Sequence, residues 1–375
     1  MFHHDARDYA TAASEAATRG RVRMEEIIHK GVESAARVIE DIQARVVQDS
    51  VIRTAAARIE QAEGTWKLAA GDILAPLHPH AFAQVVNDAG MPKKYADELA
   101  QQANGTPWGR ELVAHNLNTI LSHRDKQRNL VRREAGQVKG FLSDRFRRLD
   151  SRPLLDAFIG SAQDLGLVPI QGVGTDTKVR VRAVLPQVFE PVPSEVMLFG
   201  LEWGNSDYGD GGHCVNLWTM RVWCTNLAVT DECLRQIHLG RRLADDITYS
   251  EQTYRLDTQA NASALRDTVR HAIGPARING MLEAIRTANT EEIKGRDGVA
   301  KILGKALGKA DSEKAADLFE GNDVVNLPPG NTVWRLSNAV SWLAQGKNLS
   351  TDRKLELERV AGELIPHQAV KAREV

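Results

Sequence analysis

The sequence predicts an α+β protein. An antiparallel sheet with covering helices is preceded by a long N-terminal helix and followed by a helical C-terminal region. Three observations predict it. β-favouring runs broken by Pro and Gly fill residues 167–223, an apolar stripe at helical spacing runs from Met24 to Val46, and helical periodicity returns from Leu243 onward.

In chain order, residues 8–62 read as helical throughout. Met24, Ile28, Val32, Ala35, Ile39, Ile42 and Val46 recur at three- and four-residue steps, with Glu, Arg and Gln between them. Such a stripe packs on its own domain or on a second chain. The second case predicts a homo-oligomer. Thr65 to Leu74 reads as one extended segment. Ala81 to Asp88 reads as a helix, Gly90 as a turn, and Pro92 as the opening of a second helix. This is a helix-turn-helix outline with Lys93 and Lys94 at its second helix.

Gln137–Ser143 alternates as a strand, and 151–165 forms a helix with Leu154, Leu155, Phe158 and Ile159 on its apolar side. Leu167–Ile170, Val179–Leu185, Val196–Trp203 and Val215–Trp223 read as strands. The last two flank a turn rich in Asn, Asp, Ser and Gly, a hairpin signal. Residues 136–242 are thus expected to form one sheet. Thr230 and Asp231 offer N-caps for a helix ending near Arg241 and Arg242. Beyond Leu243, Leu327-Pro328-Pro329-Gly330 is a break, Asn331 or Thr332 caps a helix through Trp342, and a last helix spans Thr351 to Leu364. Four units follow: an arm over 1–62, a helical subdomain over 63–120, an α+β core over 121–250 and a helical region over 251–375.

The chain of 375 residues is 42% hydrophobic and 26% charged, as expected of a globular protein, and its net charge of −1 supplies no global field toward polyanions. No run approaches eighteen apolar residues, so no membrane span is expected. Three cysteines, an odd and sparse set, point to a reducing cytoplasm. The start lacks the apolar stretch of a signal peptide.

Local charge is more informative. Residues 121–152 hold ten Lys or Arg against four Asp or Glu. Arg128, Arg132 and Arg133 precede the Gln137 strand, and Arg145, Arg147 and Arg148 follow it. Arg180 and Arg182 alternate with Val179 and Val181, so they share one strand face. Arg128, Arg132, Arg133, Arg145, Arg147, Arg180 and Arg182 are therefore the candidate contacts to the phosphates of a single-stranded nucleic acid, with Trp203 or Tyr208 available for stacking if exposed. The bland alternative pairs these arginines with carboxylates such as Asp144 and Asp150.

Other chemistry is poorly supported. His213, Cys214, Cys224, Cys233 and His238 lack zinc spacing; on one strand, Cys214 and Cys224 would lie about 33 Å apart. Glu195, Glu202, Asp207, Asp210, Asp231, Asp245 and Asp246 could be read as a magnesium cluster of a nucleic-acid enzyme, but no spacing favours that. Neither a phosphate-cradling glycine loop nor a nucleophile elbow is found, and no cofactor is expected.

The segments VKGFLSDRFRRLD, GNSDYGDGGHCVNLWTMRVWCTNLAV, HLGRRL and NTVWRLSNAVSWLAQ resemble the phage- and plasmid-borne family known as domain of unknown function 932. The resemblance runs from about Trp66 to Leu364. It departs at Leu227-Ala228, where such sequences tend to carry Gly. It implies phage, prophage or plasmid origin and a bacterial host cell, and it implies no reaction. The order helix, strands, helix is also similar to the core of phage single-strand annealing proteins. Three functions follow: a single-strand-binding, recombination-type protein; an oligomeric interaction or regulatory protein; or a metal-dependent enzyme on nucleic acid.

Overall fold

A computed structural model describes residues 14–365, except 63, 102–107, 126, 225–226, 237, 239, 241–248, 305 and 322–325. It opens with helix α1 (Glu15–Ala44), capped by the Ser14 hydroxyl, which accepts the Ala17 amide at 2.9 Å. The helix stops well short of residue 62. Strands β1 (Gln48–Arg53) and β2 (Arg58–Ala62) follow instead. Val46, Val47, Val51 and Ile52 are β-branched and stiff in a helix, and β1 finds a partner more than seventy residues away, which local periodicity cannot register. Residues 8–13 of the expected helix lie outside the described ones.

The extended segment expected after Thr65 is two strands, β3 (Thr65–Ala70) and β4 (Ile73–Pro76), which complete a meander with β2. Helices α2 (Pro79–Asp88), α3 (Lys93–Gln101) and α4 (Trp108–Ser122) follow. Lys93 and Lys94 pair along α3 with Asp97 and Glu98, so neither is an isolated charge presented to DNA. Ile59, Leu68, Phe82, Val85, Val113 and Leu117 form an apolar core here, shared with Val131, Val138 and Phe141.

Those last three lie on β5 (Arg128–Glu134) and β6 (Gln137–Ser143), joined at Ala135 and Gly136, both with positive φ. This mirror-image turn matches strand twist and fixes the hairpin. The sheet order is β1-β5-β6. Hence β6 belongs to a separate sheet, and 136–242 is not one sheet as its strand pattern suggests. Helix α5 (Ser151–Asp164) separates the two.

The main sheet contains β7 (Val168–Gly174), β8 (Val179–Val184), β9 (Phe189–Val192), β10 (Glu195–Asn205), β11 (His213–Arg221) and β12 (Leu227–Gln236). All pairings are antiparallel, in the order β12-β11-β10-β8-β7, with β9 also on β10. β12 replaces the helix expected from Thr230. The open edge of β11 accepts Leu227–Gln236 through two bulges, and the Thr230 hydroxyl donates to the Leu217 carbonyl at 3.2 Å rather than capping a helix. Arg241 and Arg242 lie outside the described residues.

One sheet face packs Val181, Phe199, Leu201, Trp203, Val215 and Leu217 against Leu154, Leu155 and Phe158 of α5. The opposite face packs Val184, Leu198, Trp218 and Met220 against Ala17 and Met24 of α1. Further along, Ile42 of α1 belongs to the α5-side core, so α1 passes from one face to the other around edge strand β7. It crosses at Gly31, where any Cβ would lie 2.2 Å from the Ile170 carbonyl oxygen. Only glycine allows that approach. Helices α6 (Glu251–Ala272), α7 (Pro275–Thr290), α8 (Gly295–Leu303), α9 (Lys309–Glu320), α10 (Val333–Leu343) and α11 (Thr351–Glu363) complete the chain, with Thr332 capping α10 as its sequence predicts. Among the described residues, no helix is long and apolar enough to cross a membrane.

Candidate functional site

Strand period places Arg180 and Arg182 on one face of β8, as read from the sequence. Register then builds a transverse polar row across five strands: Gln171, Arg182, Glu202, Asn216 and Glu232. Glu202 is fully buried and accepts from both arginines, at 2.7 Å from Arg182 Nε. From above, α11 brings Glu358 onto the other side of the Arg182 guanidinium. Burial opposes the Glu202 charge, yet Arg182 and Arg180 outweigh it and hold the carboxyl at about 2. Glu358 also faces Arg182, but burial dominates there and raises its pKa.

The other candidates sit on the β5–β6 hairpin and the loop after it. Arg128 lies 3.7 Å from Asp144, and Arg133 reaches the Ser50 hydroxyl at 3.5 Å. Arg132 is buried: Nε donates to Asp49 at 2.8 Å, one terminal nitrogen to Asp150 and the other to the Asp207 carbonyl at 2.8 Å. Burial works against its charge, but Asp150, Asp49 and Asp207 raise its pKa. Arg147 pairs with Asp257 of α6, Nε to Oδ2 at 3.1 Å. Arg145 alone of the seven is exposed, and it pairs with no carboxylate among the described residues. Trp203 and Tyr208 are fully buried, so both contribute packing and neither can stack on a base.

Around Arg132 the chain leaves a polar cavity of about 500 Å³ between β1, the 144–150 loop, the start of α5 and α6. Arg148 and Tyr254 both line it and stack on one another, the guanidinium 4.1 Å from the ring centroid. Arg148 also pairs with Asp49 at 3.3 Å and with Glu251 at 3.1 Å; the Glu251 side chain is 86% exposed. Arg255 lines the same cavity and pairs with no carboxylate among the described residues. Tyr249 is exposed and meets Tyr254 edge-on at 5.9 Å. Sequence reading missed Tyr249, Tyr254 and Arg255. The one available signal was an arginine directly after a tyrosine at the head of a polar helix.

Of the carboxylates read as a metal cluster, Glu195, Glu202, Asp207 and Asp210 are otherwise engaged. Glu195 binds Arg221 through both oxygens at 2.6 and 2.8 Å, and Asp207 accepts the Ser151 amide at 2.7 Å. Among the described residues no group of three or more His, Cys, Asp or Glu side chains could hold a metal ion. Asp245 and Asp246 lie outside them.

His213 is fully buried with neither ring nitrogen hydrogen-bonded. Burial and the neighbouring His238 push its pKa down to about 4. Unfolded, the ring takes up its proton near the ordinary value of about 6.5. The unfolded chain thus binds more protons in between, so stability falls as pH drops through that window and levels off below it. We expect a loss of about 3 kcal/mol from this group. Urea unfolding at stepped pH checks it: His213→Leu should flatten the slope, and an unchanged slope would assign the acid sensitivity elsewhere.

Compared with family models, curated proteins and solved structures, the chain matches none.

Proposed function

We propose that this protein binds single-stranded nucleic acid along the mouth of the Arg132–Arg148 cavity. The observation that carries this is the lining of the cavity, where Arg132, Arg148 and Arg255 stand with Tyr254 and Arg255 has no carboxylate partner among the described residues; the exposed Arg145 lies on the loop that supplies Arg148, and the exposed Tyr249 meets Tyr254. A phosphate at Arg148 would displace Glu251, and an ion pair so exposed contributes little. Asp49 keeps Arg148 in place meanwhile. Tyr249 offers a face for one base, worth roughly 1–3 kcal/mol.

Arg132 lines this cavity, whereas Arg128, Arg133, Arg147, Arg180 and Arg182 are held by protein partners elsewhere in the scaffold. The resemblance to a phage- and plasmid-borne family supports a mobile-element origin in the cytoplasm of a bacterial host, and the likeness in element order to single-strand annealing proteins supports a recombination-type role. The alternative of an oligomeric interaction protein drew on the α1 stripe. Met24, Ala35 and Ile42 of that stripe are buried within the chain, which leaves Val32 and Val46 exposed. A metal-dependent reaction would call on Glu195 and Glu202, which arginines already occupy.

Fluorescence anisotropy with a labelled oligothymidine tests the proposal. We expect binding at low salt that weakens as salt rises. In the double variant Arg145→Glu, Arg255→Glu, affinity should fall and the salt slope should shrink by about 0.7 for each lost phosphate contact. No binding at low salt would reject this function and promote the interaction protein.

A further inference from the structure

We propose that His238 is a proton-operated latch on the loop that carries Arg145, Arg147 and Arg148. Its consequence for ligand binding rests on the nucleic-acid function; the latch itself does not. His238 is buried and its ring stacks on Phe146, centroids 4.8 Å apart and nearly parallel. Nδ1 lies 3.0 Å from the Arg147 carbonyl oxygen, and Nε2 lies 3.0 Å from Asn205 Oδ1. The Asn205 amide is oriented by its other end: Nδ2 donates to the Leu149 carbonyl at 2.8 Å and to the Ser151 hydroxyl at 3.0 Å. Turning it over would set Oδ1 against the Leu149 oxygen. Both imidazole nitrogens therefore face acceptors.

A neutral imidazole carries one N–H and satisfies one of the two; the imidazolium satisfies both. Main-chain bonds clip the same segments together. The Arg147 amide donates to the His238 carbonyl at 3.0 Å, and the Gly240 amide to the Arg145 carbonyl at 2.6 Å. The ring thus supplies the part of the clip that depends on a proton. The charged groups around it oppose one another. Burial, with Arg132 on β5 and Arg147 on the loop, disfavours the imidazolium and outweighs the Arg147 carbonyl bond and Asp150, which favour it, so the ring takes its proton below the ordinary histidine value. His213 on β11 is the second titratable ring beside it. Uptake of the proton completes the second bond, steadies the loop and adds a positive charge next to Arg147. Affinity for a polyanion then rises as pH falls, and by linkage a bound strand raises the proton affinity of His238.

The test uses the full chain without nucleic acid. Long-range proton–nitrogen NMR follows the His238 ring between about pH 5 and about pH 8, and amide hydrogen exchange, corrected for intrinsic rate, follows Arg147 and Gly240. We expect one protonated ring nitrogen at the alkaline end, two at the acid end, and several-fold slower exchange at both amides on acidification. A ring that stays neutral across the range, or one that titrates with no change in exchange, overturns the latch. Oligothymidine anisotropy over the same range should show a several-fold gain on acidification that His238→Leu abolishes. Strand binding by the native chain that ignores pH overturns the functional consequence. A working latch with no strand binding at any pH supports the latch and removes the nucleic-acid function instead.

Discussion

Glu202→Gln is expected to destabilise the protein by about 3–5 kcal/mol, the usual cost of breaking a buried ion pair from one side. Glu202 is the single carboxylate between Arg180 and Arg182, and it also accepts the Asn216 amide at 3.1 Å. The glutamine keeps the shape and removes the charge. Arg182 then depends on Glu358, whose own pKa burial already raises. The pH dependence has a definite sign. Held at about 2 when folded against an ordinary 4.5, the Glu202 carboxyl binds fewer protons than its unfolded counterpart. Its contribution, about 3 kcal/mol, is fully present above the unfolded value and is lost as pH falls toward the folded one. Urea midpoints for the native chain and the variant between these limits measure it. Replacing Arg180, Arg182, Glu202 and Glu358 together with apolar residues should recover much of the loss, because the desolvation cost goes with the charges. A single-variant loss under about 1 kcal/mol would mean that water reaches the row.

The second large effect is expected from one methyl group. Gly362 of α11 lies on the backbone of β12, and a Cβ there would meet the Val229 carbonyl oxygen at 1.7 Å and carbon at 2.4 Å. Neither contact can be relieved by a rotamer change, since backbone stands on both sides. Gly362→Ala must therefore lift the helix from the strand, at a cost of about 3 kcal/mol. Lifting α11 also draws Glu358 away from Arg182. The two variants should then be less than additive when combined, and a double-mutant cycle on unfolding free energies reads the coupling. Strict additivity would separate the packing of α11 from the charge row beneath it.

How much of this was legible depended on distance along the chain. The alternation of Arg180 and Arg182 with Val179 and Val181 gave their shared face, because period two is a local property. Their partners were not legible. Glu202 comes from β10, after a proline-rich excursion, and Glu358 from the last helix. Asp49 is the same case: it reaches Arg132 only because β1 pairs with β5, and β1 looked helical. The hairpin of β10 and β11 was read correctly, since its turn formers lie between its strands. The continuation into β12 was not, because Thr230 and Asp231 resemble a helix start and the open edge of β11 is not written locally. The cavity drew on three distant segments, so its mouth could not be read from any one of them. Arg145 was visible as a charge, but its exposure was not.

The passage of α1 around β7 sets an order of events. The helix ends up gripping a strand that lies more than a hundred residues further along the chain, with Gly31 against Ile170. Until that strand has paired with β8, half of the α1 apolar stripe has nothing to dock on. Contacts of such long separation form late, because chain closure precedes their reward. The same strand, before the helix wraps it, presents an open rim of backbone donors and acceptors to any neighbouring chain. Slow closure and aggregation should therefore share one cause during refolding. Conditions that hasten the docking of α1 on β7, such as lower denaturant, should suppress both together, so that yield tracks the rate of this single step.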